Sequence, residues 1–386
     1  MSRNSHAAHY EAGKDIEPSI VRMLQGAIQH RELGAYQWAT EAELQQSLMT
    51  FFNYKGLASP RIENLKRMGG GASKEHFVFD LQVDASTRQK CVLRLDPLES
   101  AVVSDRRKEQ RIMEIMASVL PVPQVLWSDP VGAILGRPAL ITSSVRGVTK
   151  PSDGGGNVSG LGSLLPDHYR DALSPKFMDY LVKMHAVPVS FAPDGIFDVP
   201  SQDDYQAVRW QLNWWRSVWR DDAIEGSPIM GLAERWMEEN LPKARELVVV
   251  HADFRTGNYL FDEDSFEISA ILDWELAHIG DYHEDLAWII CHKGVTAQGE
   301  VMASGLMSPE ALCRQYSELT GRVIDPEALM FYRILSVYKC VAICFATSVQ
   351  TARRGHSHQD ILLSWLASAG HAFSAELLDL MEEVYS

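Results

Sequence analysis

Two short apolar runs in the second half of the chain end on side chains suited to chemistry. Val248-Val249-Val250 leads into His251-Ala252-Asp253, and Ile268 to Leu272 leads into Asp273-Trp274-Glu275. Aliphatic runs of this length read as buried strands, so each would hold its polar residues at a strand end. Asn258 follows Asp253 across a loop, and Asp273 comes after the second strand. A carboxylate placed against a hydroxyl can orient it and take its proton, while carboxylate and amide oxygens are the donors a hard divalent cation prefers. Any one of Asp253, Asn258 and Asp273 alone would be read as a cap or turn residue. Their joint spacing argues against that reading for all three.

A chain of 386 residues with 46% hydrophobic content can bury a large core and is long enough for two lobes. Lys+Arg number 36 against 51 Asp+Glu, a net charge of −15, which argues against nucleic acid or an anionic membrane as partner. The five cysteines form no CxxC pair, so neither a disulfide framework nor a structural zinc site is expected. Cys340 and Cys344 are read as core residues. The polar stretch Met1 to Lys14 lacks the apolar centre of a signal peptide, and Val341 to Ala346 is too short to span a bilayer. A cytoplasmic protein is the expectation.

The elements that must position these residues follow from periodicity. Ile20, Met23, Leu24 and Ile28 share one helix face, and Thr40-Glu41-Ala42-Glu43 has the form of a capping box opening a second helix. This pair, within residues 1–60, is read as packing, with a homodimer surface as the alternative. From 61 to 145 the pattern turns to short strands: a glycine turn, Met68-Gly69-Gly70-Gly71-Ala72-Ser73-Lys74, then Phe77 to Leu81 and Cys91 to Leu95, then a helix from Asp105 to Leu120 carrying Glu109, then a strand at Pro138 to Thr142. A turn rich in glycine lets backbone N–H groups approach an anion, though most such turns are only turns. Arg94 on its strand could pair with Glu109 on the helix. Residues Ser143 to Gly147 are placed as a hinge, and Pro151 to Ser163, with five glycines, as a mobile surface loop. Residues 146–386 are chiefly helical, and Trp210, Trp214, Trp215 and Trp219 are expected mainly in the core, with a ligand wall as the alternative.

Taken together, Arg94, Glu109, His251-x-Asp253 with Asn258, Asp273-Trp274-Glu275 and Gly280-Asp281 resemble the aminoglycoside phosphotransferase and choline kinase family. They are most similar to the kinase-like domains associated with acyl-CoA dehydrogenases. That resemblance implies an α+β, bilobal protein-kinase-like fold: a small antiparallel β-sheet lobe, a larger mainly helical lobe and, in this chain, an N-terminal helical extension. It implies Asp253 as the base, Asn258 and Asp273 as ligands of Mg2+, and ATP or GTP as phosphoryl donor. Gly70, Gly71 and Ala72 would cover the phosphates, with Arg94 held by Glu109 binding them. His251 would brace the loop, Asp281 and Asp285 would anchor it, and Glu275 would hold substrate or stabilise the loop. Two departures stand out: His251-Ala252-Asp253 replaces the family's His-Gly-Asp, a mild change only where the backbone is not left-handed, and Arg94 replaces the lysine of many members.

The acceptor implied is a small hydroxylated molecule. The tryptophan-rich segment and the dehydrogenase-linked kinship favour an apolar alcohol or a hydroxyacyl-CoA, with Arg216, Arg220, Arg353 or Arg354 meeting the phosphates of an acyl-CoA. An aminoglycoside kinase and a nucleotide-binding pseudokinase are the alternatives.

Overall fold

A computed structural model describes residues 4–69, 71, 73–84, 86–154, 156–190, 195–201 and 204–386. Helices α1 (Pro18–His30) and α2 (Glu41–Tyr54) come first. The Thr40 hydroxyl accepts the Glu43 N–H and the Glu43 carboxylate accepts the Thr40 N–H, the reciprocal cap its sequence calls for. Strands β1 (Arg61–Arg67), β2 (Glu75–Gln82), β3 (Arg88–Leu95), β4 (Val125–Asp129) and β5 (Ala139–Ser143) make one sheet in the order β1-β2-β3-β5-β4, with every neighbouring pair antiparallel. Leu44, Leu48, Phe51 and Phe52 of α2 cover one face of it, against Phe77, Phe79 and Leu93. Helix α3 (Arg106–Met116) buries Ile112, Met113 and Met116 in the much larger second core.

Beyond the sheet, the chain forms a hairpin of β6 (Asn157–Ser159) and β7 (Gly162–Leu164) where the sequence suggested a mobile loop. Gly156 and Gly162 serve close packing, while Gly154 and Gly160 face open space. A Cβ on Gly162 would meet the Lys293 carbonyl oxygen at 2.2 Å, and one on Gly305 would meet that of Ser163 at 2.3 Å. Three helices follow, α4 (Asp167–His185), α5 (Gln206–Asp222) and α6 (Pro228–Glu239). All four tryptophans of α5 are buried, Trp214, Trp215 and Trp219 in the large core and Trp210 with its Nε1 donating to the Lys14 carbonyl at 3.3 Å, and Trp214 stacks on Trp215.

Four short strands then frame the polar motif. Strand β8 (Leu247–Val250) pairs antiparallel with β11 (His278–Asp281), and β9 (Tyr259–Phe261) with β10 (Ile268–Ile271). Helix α7 (His283–Cys291), the small pair β12 (Gly294–Val295) and β13 (Val301–Met302), and helices α8 (Pro309–Thr320), α9 (Pro326–Ala342), α10 (Ser348–Arg354) and α11 (Asp360–Tyr385) complete the chain. A π-helical turn at Ile343–Thr347 joins α9 to α10, so one apolar rod runs from Pro326 to Arg354. By length and composition that rod and α11 would each span a bilayer, although the first packs mostly inside the core.

Candidate active site

The β8–β11 and β9–β10 pairs deliver Asp253, Asn258 and Asp273 to one cleft of about 750 Å³ between the sheet and the helices, with His251 fully buried and outside its lining. The turn after β8 is forced into an unusual shape: Ala252 sits at φ 63°, the left-handed region. Alanine in place of glycine is therefore not a mild change here, since a Cβ in this region costs about 1–2 kcal/mol. Several groups hold the turn. Asp285 accepts the N–H of His251 at 2.9 Å and of Ala252 at 2.8 Å, while the buried Lys339 ammonium donates to the Ala252 carbonyl at 2.7 Å. His185 is bonded to the same Asp285 carboxylate at 3.0 Å. Asp281, the other expected anchor, caps its own turn by accepting from the His283 N–H and ring.

His251 is a brace. Its Nε2 donates to the Leu272 carbonyl at 2.9 Å and its Nδ1 accepts the Asp253 N–H at 3.2 Å, which ties the loop after β8 to the strand end before Asp273. Burial holds its pKa below the ordinary value, favouring the neutral ring these two bonds require.

Asp253 has both oxygens engaged. Oδ1 accepts from Arg255 Nε and Trp288 Nε1, each at 2.8 Å, and Oδ2 from Asn258 Nδ2 at 2.6 Å. Burial works to raise its pKa, but Arg255, His292 and Lys339 outweigh it and hold the carboxyl below its usual range, so it is ionised at neutral pH. The Asn258 amide nitrogen also donates to the Asp253 carbonyl at 3.0 Å, which fixes the rotamer and leaves Oδ1 to meet a cation.

Across the cleft, Arg94 on β3 pairs with the buried Glu109 of α3 and reaches Asp273 Oδ1 with Nη2 at 2.7 Å. The ion pair expected from the sequence is present, and arginine's fork meets Glu109 through Nη1 and Asp273 through Nη2 in one planar group. Arg106 also pairs with Glu109 and donates to Asp96 Oδ1 at 2.8 Å. Burial pushes the Glu109 carboxyl up, yet Arg106, Arg94 and Lys74 prevail and bring it to about 2. Asp273 itself is left-handed, at φ 60° and ψ 52°.

The glycine turn lies at the mouth of this cluster. Gly71, at φ 81°, lines the cleft, and a Cβ there would strike the His76 ring at 2.8 Å. Gly70 and Ala72 lie outside the described residues. Sequence reasoning passed over Lys74, which is almost fully buried with Nζ 3.6 Å from both Asp96 and Glu275. Glu275 Oε2 is also 3.4 Å from Ser73 Oγ, so this carboxylate joins the glycine turn to the Asp273 loop. Arg255, Trp288 and Lys339 were likewise missed. Only Arg255, two residues from Asp253, had a local signal.

Asn258 and Asp273 fit a hard cation. Both supply oxygen donors, one locked in rotamer and the other half-open to the cleft, and two protein ligands suffice for Mg2+ when phosphate oxygens and waters complete the shell.

The remaining wall of the cleft is apolar. Cys340, Ile343 and Cys344 come from α9 and the π turn, and Leu362, Trp365 and Phe373 from α11. This explains an amphipathic-looking helix whose apolar side is only partly covered: Trp365 is 51% exposed because it faces the cleft. Among the described lining residues the carboxylates are Asp253, Asp273 and Glu275. None of the four arginines proposed for an acyl-CoA lines it. Arg216 pairs with Glu238 at 2.6 Å, Arg220 with Glu234 at 2.8 Å and Arg354 with Glu99 at 3.0 Å, while Arg353 is exposed on α10.

The sequence profile of the phosphotransferase enzyme family matches residues 65–316. Acyl-CoA dehydrogenase family member 10 of Mus musculus is 28% identical over 203 residues, which cover 52% of this chain but only 18% of that protein. This chain therefore corresponds to a minor part of that relative's length. Among solved structures, macrolide 2'-phosphotransferase type I superposes with a TM-score of 0.55 at 17% identity, covering 87% of this chain and 98% of that one. A thermostable mutant of an aminoglycoside phosphotransferase, in ternary complex with AMP-PNP and hygromycin B, superposes with a TM-score of 0.52 at 18% identity over 85% of this chain and 97% of that one. At such identities the likeness speaks for the fold, and it is the bilobal protein-kinase-like fold that the sequence implied.

Proposed function

Because the chain belongs to the phosphotransferase enzyme family, we propose that it moves the γ-phosphoryl group of ATP or GTP to a hydroxyl of a small molecule whose body is apolar. The observation that carries this reading is the ionised Asp253, locked by Asn258, Arg255 and Trp288, in one cleft with the Arg94–Glu109–Asp273 chain. Asp253 orients the acceptor hydroxyl and takes its proton as the new O–P bond forms and the bond from the γ-phosphorus to the β,γ-bridging oxygen breaks. Arg94, kept in place by Glu109, meets the phosphates, and Gly71 lets the backbone of its turn approach them. Asn258 and Asp273 would hold Mg2+, which when bound neutralises charge on the phosphates. Arg255 holds Asp253 ionised and brings positive charge to the group in transfer.

The acceptor half of the cleft favours an apolar chain. Its wall of Ile343, Leu362, Trp365 and Phe373 offers no carboxylates to a polycation such as an aminoglycoside, beyond those already committed to catalysis. A hydroxyacyl-CoA remains a candidate, with its nucleotide end outside the cleft, away from the four arginines. The five free cysteines suit a reducing, cytoplasmic setting.

The test is Mg2+-dependent transfer from γ-labelled ATP and GTP to medium-chain hydroxy acids, their CoA esters, simple alcohols and aminoglycosides. Apolar hydroxylated acceptors should be used best, and Trp365→Ala should raise their KM about ten-fold while leaving the nucleotide KM alone. A preference for aminoglycosides, or a Trp365→Ala variant indifferent to acceptor chain, would overturn this assignment.

A further inference from the structure

The residues before the sheet do more than cap the fold. Glu17, just ahead of α1, is 3% exposed, and its carboxylate is paired with Lys108 of α3, itself buried. Lys108 is the chain neighbour of Glu109. Ile20 and Leu24 of α1 belong to the same extended core as Ile112, Met113 and Met116 of α3, and the Glu17–Lys108 pair is the direct link between the segment and that helix. On both sides of this contact the segment is stitched to α5 in the large lobe. Gln206 Nε2 donates to the Gly13 carbonyl at 2.6 Å and Asn213 Nδ2 to the Asp15 carbonyl at 2.7 Å. At the far end Arg31 reaches Asp222, the last residue of α5, at 2.7 Å and Glu99 at 3.0 Å. Glu99 lies between β3 and α3, and it also takes Arg354 at 3.0 Å and His356 at 2.9 Å from the helical lobe.

From this geometry we infer that residues 13–31 are a strap that fixes α3 against the large lobe, with Glu17 positioning Glu109 through Lys108. A buried ion pair that loses one partner leaves an uncompensated charge, so α3 cannot shift freely while Glu17 is in place. The Arg94–Glu109 pair spans the gap between β3 and α3, and a displacement on the order of 1 Å at such a contact is enough to misdirect a catalytic group. Glu17 touches no substrate; it is a positioning residue. The inference rests on the proposed kinase reading only for what Arg94 meets, and not for the strap itself.

The experiment compares full-length wild type, Glu17→Gln and a control, Lys293→Met, which breaks the unrelated Lys293–Glu376 pair of 2.7 Å. Hydrogen exchange over 106–116 and displacement of a fluorescent ATP analogue are measured beside kinetics. Glu17→Gln should speed exchange across α3 and raise the nucleotide Kd and KM about ten-fold or more, with acceptor KM unchanged and Lys293→Met behaving as wild type. The double variant Glu17→Asp/Lys108→Arg, where the longer guanidinium makes up for the shorter carboxylate, should recover nucleotide affinity. Should Glu17→Gln not fold, Glu17→Asp alone carries the same expectation at smaller size. Unchanged exchange in α3, equal rises in both KM values, or failure of the double variant to recover would overturn the strap. A wild type that transfers no phosphoryl group would refute the proposed function and leave the exchange comparison decisive for the strap.

Discussion

Asp285→Asn isolates what shapes the catalytic turn. In the native chain one carboxylate accepts two successive N–H groups, from His251 and Ala252, and is bonded to His185 as well. An asparagine of the same shape keeps one acceptor and turns an NH2 group toward the other donor. One charge-assisted bond is lost and the other becomes neutral, a combined cost of about 3–4 kcal/mol at a fully buried site. The Ala252 backbone, already strained at φ 63°, then gains by relaxing toward ordinary dihedrals, and Asp253 moves with it. Urea unfolding should show the stability loss, and single-turnover phosphoryl transfer should fall about 10²-fold with nucleotide affinity little changed. The pH profile supplies a second reading. Burial raises the Asp285 carboxyl, but His185 and His251 bring it below its usual value, so its contribution is complete above the unfolded carboxylate pKa and vanishes as pH falls through the folded one. The variant should lack that acid limb. A variant within about 0.5 kcal/mol of wild type, with unchanged turnover, would refute the claim that Asp285 holds the turn.

Two further perturbations follow the same logic. Glu109, brought from 4.5 to about 2, should contribute about 3 kcal/mol that is present above pH 4.5 and lost between there and pH 2; Glu109→Gln should flatten that window in acid-unfolding curves and raise the nucleotide KM. At Ala252, glycine relieves the left-handed strain but loses a buried methyl and adds unfolded-state freedom, so stability should stay within about 1 kcal/mol of wild type. Valine at the same position should cost more than about 2 kcal/mol, read from urea midpoints.

The parts of the site legible in the sequence were those whose signal is local. Asp253, Asn258 and Asp273 sit at strand ends marked by apolar runs, the Thr40 cap lies within four residues, and Arg94 and Glu109 follow one another in the small lobe's element order. The four tryptophans of α5 are buried, as expected from their size and apolar character rather than from their mixed spacing, and none lines the cleft. What stayed hidden depends on contacts between distant segments. Lys74 meets Glu275 across 201 positions, and Lys339 lies 87 positions from the carbonyl it holds. Neither has a spacing that a pattern can record. The acceptor wall depends on a π turn that brings Ile343 and Cys344 to the cleft beside α11, and no residue type announces such a turn. The glycine-rich stretch near Gly162 misled for the opposite reason: composition tells of missing side chains, not whether freedom or close packing made them necessary.

The central claim is that Asp253 is the group that receives the acceptor's proton in a nucleotide-dependent transfer. Its most direct test is Mg2+-dependent transfer of labelled γ-phosphate by wild type and Asp253→Asn, with nucleotide binding measured on both. In Asp253→Asn kcat should fall by about 10²–10⁴-fold while nucleotide affinity stays within about three-fold. Transfer retained in Asp253→Asn at the wild-type rate would contradict the claim.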